Sequence, residues 1–122
     1  MKTNKIRYII FVLAAIFLYS CSDEYNYKQT KRLLIKHDWR INTFVDYSQN
    51  QTTEFRTAVF DFLDDNTLIK IYENNDTVRT QWELSEDSDY LTIGSNTFRI
   101  TELSNRVLSI RYGEVEMFFV SE

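Results

Sequence analysis

From Trp39 to the end of the chain, apolar and polar residues alternate with a period of two, the pattern of strands that bury one face. The runs are short and rich in Val, Ile, Thr, Phe, Tyr and Trp, with Asn, Asp and Ser clusters between them. Eight can be traced: "WRINTFVDY", "TEFRTAVFDFL", "LIKIYE", "TVRTQWEL", "YLTI", "TFRIT", "VLSIRY" and "VEMFFV". The fourth alternates most cleanly, with Val78, Thr80, Trp82 and Leu84 on one side and Arg79, Gln81 and Glu83 on the other. In the sixth, Phe98 and Ile100 flank Arg99; in the seventh, Leu108 and Ile110 oppose Ser109 and Arg111. Ahead of the first run, "KQTKRLLIKHDW" predicts one or two helical turns, too short to stand alone.

Strands at intervals of roughly 8 to 12 residues with no helical pattern between them favour a sandwich or a barrel. The connections are all short, which makes successive strands antiparallel neighbours in a meander. A meander of eight strands most simply removes its edges by closing, and a chain without proline has no edge-blocking residue of that kind to use instead. The expected fold is all-β: an eight-stranded up-and-down antiparallel barrel, with an open β-sandwich as the runner-up.

The N-terminus follows a different pattern. Lys2, Lys5 and Arg7 precede "YIIFVLAAIFLYS", an uncharged apolar segment from Tyr8 to Ser20, which is the layout of a secretory signal. About 13 residues fall short of the roughly 20 that a spanning helix needs. Cys21, the only cysteine, ends this segment and has no partner for a disulfide within the chain. The stretch "LYSC" resembles a bacterial lipobox: Leu18, Ser20 and Cys21 fit, and Tyr19 is an unusual occupant of its position. The resemblance implies that the Cys21 thiol takes a diacylglyceryl group, that the signal is cut just before it, and that the new amino terminus is acylated. Two or more acyl chains, at about 0.8 kcal/mol per buried CH₂, anchor stably where one would be marginal.

After Cys21, "SDEYNYKQ" is a polar, acidic tether. Asp23 and Glu24 resemble the acidic export signal of surface-exposed lipoproteins in Bacteroidota-type bacteria, which implies a lipid-anchored outer-membrane protein facing outward; a periplasm-facing position is the alternative. The expected organisation is a signal over 1–20, a tether over 21–30 and a barrel over 31–122.

Removing the signal changes the charge balance. The full chain has a formal charge of −4, and loss of Lys2, Lys5 and Arg7 leaves eleven basic against eighteen acidic residues, or −7. Such a domain repels nucleic acid and anionic membrane surfaces at long range, and no basic stripe offsets this.

The segments "LLIKHDWRI", "FDFLDDNTL", "QWELSEDSDYLTI" and "FRITELSNRVLSI" together resemble the small lipocalin-like lipoproteins of Bacteroidota-type bacteria. Trp39, Phe60, Phe62, Asp65, Trp82, Leu91, Ile100, Leu103, Ser104, Leu108 and Ile110 fall on matching positions, while His37 and Asn66 stand where glycines are usual. The resemblance runs from about Leu33 to the end. It implies a barrel far more than an activity.

An eight-stranded barrel either fills with its own side chains or holds one small ligand. The candidate interior or ligand-lining residues are Trp39, Phe60, Phe62, Ile69, Ile71, Trp82, Phe98, Ile100, Leu108 and Ile110. They suggest a non-catalytic binding module for a small apolar ligand, or a packed barrel serving as a scaffold or interaction subunit of an envelope assembly. Enzymatic chemistry has little to work with. His37 is the only histidine, placed in a loop beside Asp38 where it suits capping better than proton transfer. One histidine and an acylated cysteine make no zinc set, so neither a metal nor another cofactor is expected. The acidic groups Asp61, Asp64 and Asp65, and Glu86, Asp87 and Asp89, lack the calcium-loop pattern and suit turns in a chain with two glycines. "DTV" at Asp76–Val78 resembles a bacterial O-glycosylation site, with Thr77 as acceptor.

Overall fold

A computed structural model describes residues 25–54 and 58–122. Cys21, the apolar leader and the two acids of the tether lie outside the described residues. Helix α1 covers 25–36. Nine strands follow: β1 Trp39–Asp46, β2 Gln51–Glu54, β3 Ala58–Phe62, β4 Thr67–Tyr72, β5 Thr77–Leu84, β6 Tyr90–Ile93, β7 Asn96–Leu103, β8 Val107–Tyr112 and β9 Val115–Ser121.

Every pairing of the described strands is antiparallel; from β3 to β9 each strand pairs with the next in sequence, and β1 closes the sheet. One edge of β1 pairs with β9 from Trp39↔Ser121 to Asp46↔Val115. The other edge pairs with β2 at Thr43–Asp46 and with β3 at Trp39 and Arg40. Because β2 and β3 share that edge, they occupy one position in the wall, and the result is a closed eight-strand antiparallel barrel. This is the expected barrel, and the runner-up sandwich is not formed.

Turn chemistry fixes the connections. Among the described residues six take a left-handed conformation, and only two of them are glycines: Gly94 and Gly113 join Asn50, Asn66, Asn75 and Ser88. Asparagine tolerates this region better than most side chains do, so Asn66 holds the left-handed position of its turn without a glycine. Short side chains then hold the adjoining backbone. Asp46 Oδ1 accepts from Ser48 N–H at 3.0 Å, Asp65 Oδ1 from Thr67 N–H at 3.0 Å, Asn74 Oδ1 from Asp76 N–H at 3.0 Å, and Asp87 Oδ1 from Asp89 N–H at 3.1 Å.

These bonds separate the acidic clusters. Hydrogen bonding, first from the Thr67 side chain, holds the Asp65 carboxyl below the usual carboxylate range, and the Ser85 hydroxyl does the same for Asp87. Asp64 meets Lys31 at 3.6 Å. Asp61 faces outward on β3, where burial and then the neighbouring Asp38 push its carboxyl up. Among the described residues no three acids, histidines or cysteines gather as a metal-binding group.

The barrel is packed at the end where β1 begins and β9 finishes. Trp39, Phe62, Leu68, Trp82, Leu91, Leu108, Ile110 and Phe119 are buried there. The Trp82 ring meets Phe62 edge-on with centroids 5.3 Å apart, and Phe60 meets Phe119 at 5.0 Å, within the range of favourable aromatic pairs. Both indole nitrogens find carbonyls, Trp39 Nε1 donating to Leu34 O at 3.1 Å and Trp82 Nε1 to Leu63 O at 3.0 Å. The β3–β4 turn is fastened to Trp82 twice more, because Asn66 O accepts from Trp82 N–H at 3.0 Å and Asn66 Nδ2 donates to Trp82 O at 3.1 Å.

Helix α1 covers this end. It is longer than the one or two turns expected and takes in 25–30, which the sequence pattern suggested as tether. The physical reason is an apolar face that starts earlier. Tyr27, Lys31 and Leu34 recur at helical spacing; Leu34 is fully buried, and Tyr27 and Ile35 pack on the core. His37 follows the helix, its ring 5.6 Å edge-on to Trp39 and its Nε2 3.4 Å from Asn105 Oδ1 in the β7–β8 turn.

Leu34→Ala tests whether the helix is a structural lid. Removing a buried leucine leaves a cavity and costs about 2–5 kcal/mol, to be measured by urea unfolding of the full chain. A loss of a few tenths of a kcal/mol would show that α1 is an independent appendage.

Candidate binding site at the open end of the barrel

Cross-strand partners share a face, so the register assigns every side chain to the inside or the outside. Trp82 pairs with Ile93, and Leu84 with Leu91. Leu91 pairs with Phe98, Ile100 with Ile110, Ile110 with Met117, and Leu108 with Phe119. Met117 pairs with Phe44. All of these face inward.

Of the predicted interior residues, Trp39, Phe60, Phe62, Trp82, Leu108 and Ile110 are buried, while Phe98 and Ile100 face inward yet remain partly exposed. Ile69 and Ile71 are a correction. They pair with Asp61 and Val59 and face outward, half-buried. Phe62 and Phe60 pair instead with Leu68 and Lys70, so the inward face of β4 is Leu68, Lys70 and Tyr72. Apolarity favoured the two isoleucines because the inward face of β4 turns polar as it leaves the packed end.

The same gradient runs along β5. Val78, Thr80, Trp82 and Leu84 share one face as expected, but Val78 is 46% exposed whereas Leu84 is 4% exposed. The interior is thus a filled floor below an accessible mouth. Phe44, Phe98, Ile100 and Met117, half-buried and inward-facing, line the upper wall. Phe98 meets Tyr112 with ring centroids 5.6 Å apart, and Tyr72 and Tyr112 stand exposed at the rim. A hollow of about 510 Å³ opens beside Tyr72, Glu73, Asn74 and Asp76. Thr77 sits in the same hairpin, exposed at the first position of β5.

Sequence reasoning missed Phe44, Lys70, Tyr72, Tyr112 and Met117. The usable signal was the turn at Asn66: counting inward positions back from it through Phe62 and Phe60 fixes the parity of β4.

No protein-family model and no curated protein matches the chain. Two solved structures do. A lipocalin-like protein from Bacteroides uniformis aligns with a TM-score of 0.59 at 11% identity, over 70% of this chain and 96% of its own. The fold is lipocalin-like. An uncharacterized protein from Bacteroides eggerthii gives a TM-score of 0.58 at 11% identity, over 70% of this chain and 98% of its own. At such identity the likeness concerns architecture, and the lining of this lipocalin-like barrel has to be argued from its own residues.

One polar cluster lies on the outer wall. Glu116, 7% exposed, faces outward on β9 beside Ser109 of β8, itself 1% exposed. A bulge in β7 between Ile100 and Glu102 frees Thr101 from the register. Its hydroxyl donates to Glu116 Oε2 at 2.5 Å, and Tyr47 OH donates to Glu116 Oε1 at 2.6 Å. With the Thr101 proton so engaged, Ser109 donates to Thr101 Oγ1. The Arg111 guanidinium lies 4.6 Å from the centre of the Tyr47 ring. This network pins the β1–β2 turn to three strands of the wall, and so holds one side of the mouth in place.

The hydrogen bond to Glu116 raises the Tyr47 pKa above 10.0, reinforced by burial and by the Glu116 charge and opposed by Arg111. A phenol raised on folding stabilises the fold below pH 10, and that contribution is lost as pH climbs through the raised value. In Glu116→Gln, NMR titration of labelled tyrosine should move the Tyr47 midpoint down toward 10. An unchanged midpoint would mean that the carboxylate does not hold this phenol.

Proposed function

We propose that this protein is a lipid-anchored envelope protein whose lipocalin-like barrel binds a small apolar ligand at its open end, without catalysis. The observation that carries the reading is the half-exposed inward face of Phe44, Phe98, Ile100 and Met117 above a packed floor. Apolar side chains left accessible inside a concave wall are the usual lining of small-molecule sites. The layout from Lys2 to Cys21 supports acylation at Cys21 and outer-membrane anchoring, with Asp23 and Glu24 favouring the outward-facing side over the periplasmic one. A non-catalytic role is supported by the engagement of His37 with Trp39 and Asn105, which gives the imidazole a structural task. The packed floor favours a second reading, a scaffold or interaction subunit of an envelope assembly that stores no ligand.

Two measurements test the proposal. Labelled palmitate fed to an expressing bacterium should enter the full chain and fail to enter Cys21→Ala; equal labelling would refute the anchor. The full chain in lipid nanodiscs should bind the neutral probe N-phenylnaphthylamine saturably above empty discs. Phe98→Arg, which sets a charge in the apolar wall, should weaken that binding about tenfold or more, equivalent to about 1.4 kcal/mol. Absence of saturable binding would leave the scaffold reading.

A further inference from the structure

We propose that the ligand is a single-chain amphiphile with a carboxylate head, and that Lys70 receives the head. The inference rests on the mouth being a ligand site, as proposed above, and adds the chemistry that the site selects.

Lys70 is a cation on the inside of the barrel. Its register partners are Phe60 on β3 and Val78 on β5, both on the inward face, and its ammonium lies 5.3 Å from the centre of the buried Phe60 ring. The arginines of the described strands point the opposite way. Arg40 pairs with outward Val59, Arg79 with outward Ile69, and Arg99 and Arg111 pair with each other on the face of Glu116. The inward charges of the described strands are therefore Lys70 and Asp46. Asp46 already accepts both the backbone N–H and the hydroxyl of Ser48, at 3.0 and 2.6 Å.

No carboxylate of a described residue lies within 4.0 Å of the Lys70 ammonium. The side chain is half-buried. A cation removed from water without a counter-ion is unfavourable, and contact with one aromatic face offsets only part of that cost. An incoming anion completes the pairing and gains a charge-assisted hydrogen bond in a partly desolvated place. Net charge sharpens the point: an acidic protein repels anions at long range, so affinity has to come from a local cation together with apolar contact.

The shape of the interior limits the rest of the ligand. Lys70 stands two residues below Tyr72 at the rim, about 7 Å along the strand. Phe60 stands beside it as its register partner, and Phe62, Trp82 and Phe119 fill the floor below, so a chain attached to the head runs across the mouth along Phe98, Ile100 and Met117 instead of descending. One charge and one short apolar wall fit one head and one chain.

The test compares dodecanoate, dodecanol and dodecyltrimethylammonium by calorimetric titration into the full chain in nanodiscs at neutral pH, with empty discs subtracted. We expect dodecanoate to bind at least tenfold tighter than dodecanol, and the trimethylammonium compound to bind weakest. Lys70→Met, which keeps the length and apolar stem of the side chain, should bring dodecanoate to the affinity of dodecanol, and Lys70→Arg should retain the preference. Equal binding of dodecanoate and dodecanol to the unmodified protein, or a preference that survives Lys70→Met, overturns the assignment of Lys70 while leaving the apolar site standing. Failure of all three compounds to bind overturns both this inference and the binding reading beneath it.

Discussion

The β1–β9 ladder is the constraint on which the rest depends. It runs the length of β1, from Trp39↔Ser121 to Asp46↔Val115, and turns a meander with two open edges into a closed wall. Closure sets the inside and the outside of every other strand. It also makes the packed end possible, since Trp39 at the start of β1 lies between Phe60 and Ser121 on adjacent strands and hands its indole proton to the end of the helix. A chain without proline and with a single cysteine has neither edge blockers of that kind nor internal disulfides, and joining its first and last strands answers both lacks.

Much of this architecture was legible in the residues. Alternation gave the strands, and the Asn, Asp and Gly clusters gave the turns, because both reflect local chemistry that a sequence displays directly. The lipocalin-like pattern from Leu33 onward agrees with the barrel and with the solved structures that resemble it. Two features were not legible. The helix began earlier than expected because Tyr27 belongs to its buried face, a tertiary contact that no short-range pattern marks. The inward face of β4 is the second, because apolarity points to Ile69 and Ile71 while the register turns Leu68, Lys70 and Tyr72 inward. In a barrel with a packed floor and an open mouth, that guide holds only where the interior is dry: Leu68 obeys it, whereas Lys70 and Tyr72, on the same face, do not.

That departure is also the most informative part of the molecule. A barrel filled throughout would have no reason to keep inward positions half-exposed, nor to place a lysine against Phe60 when outward positions were free to take the charge. The polar knot around Glu116 fits the same picture. It lies outside the wall, ties the β1–β2 turn to β7, β8 and β9, and so braces the rim beside the mouth without occupying it. The floor supplies stability and the mouth is left to chemistry, a division that runs along the barrel axis.

The division is tested most directly by solvent access to individual inward side chains. With a soluble paramagnetic agent added to the labelled full chain in nanodiscs, side-chain NMR relaxation should be strongly enhanced at Phe98, Ile100 and Met117. It should be nearly unchanged at Trp82, Leu108 and Phe119. Uniform protection of all six would contradict the account, because it would mean that the barrel is filled from floor to rim.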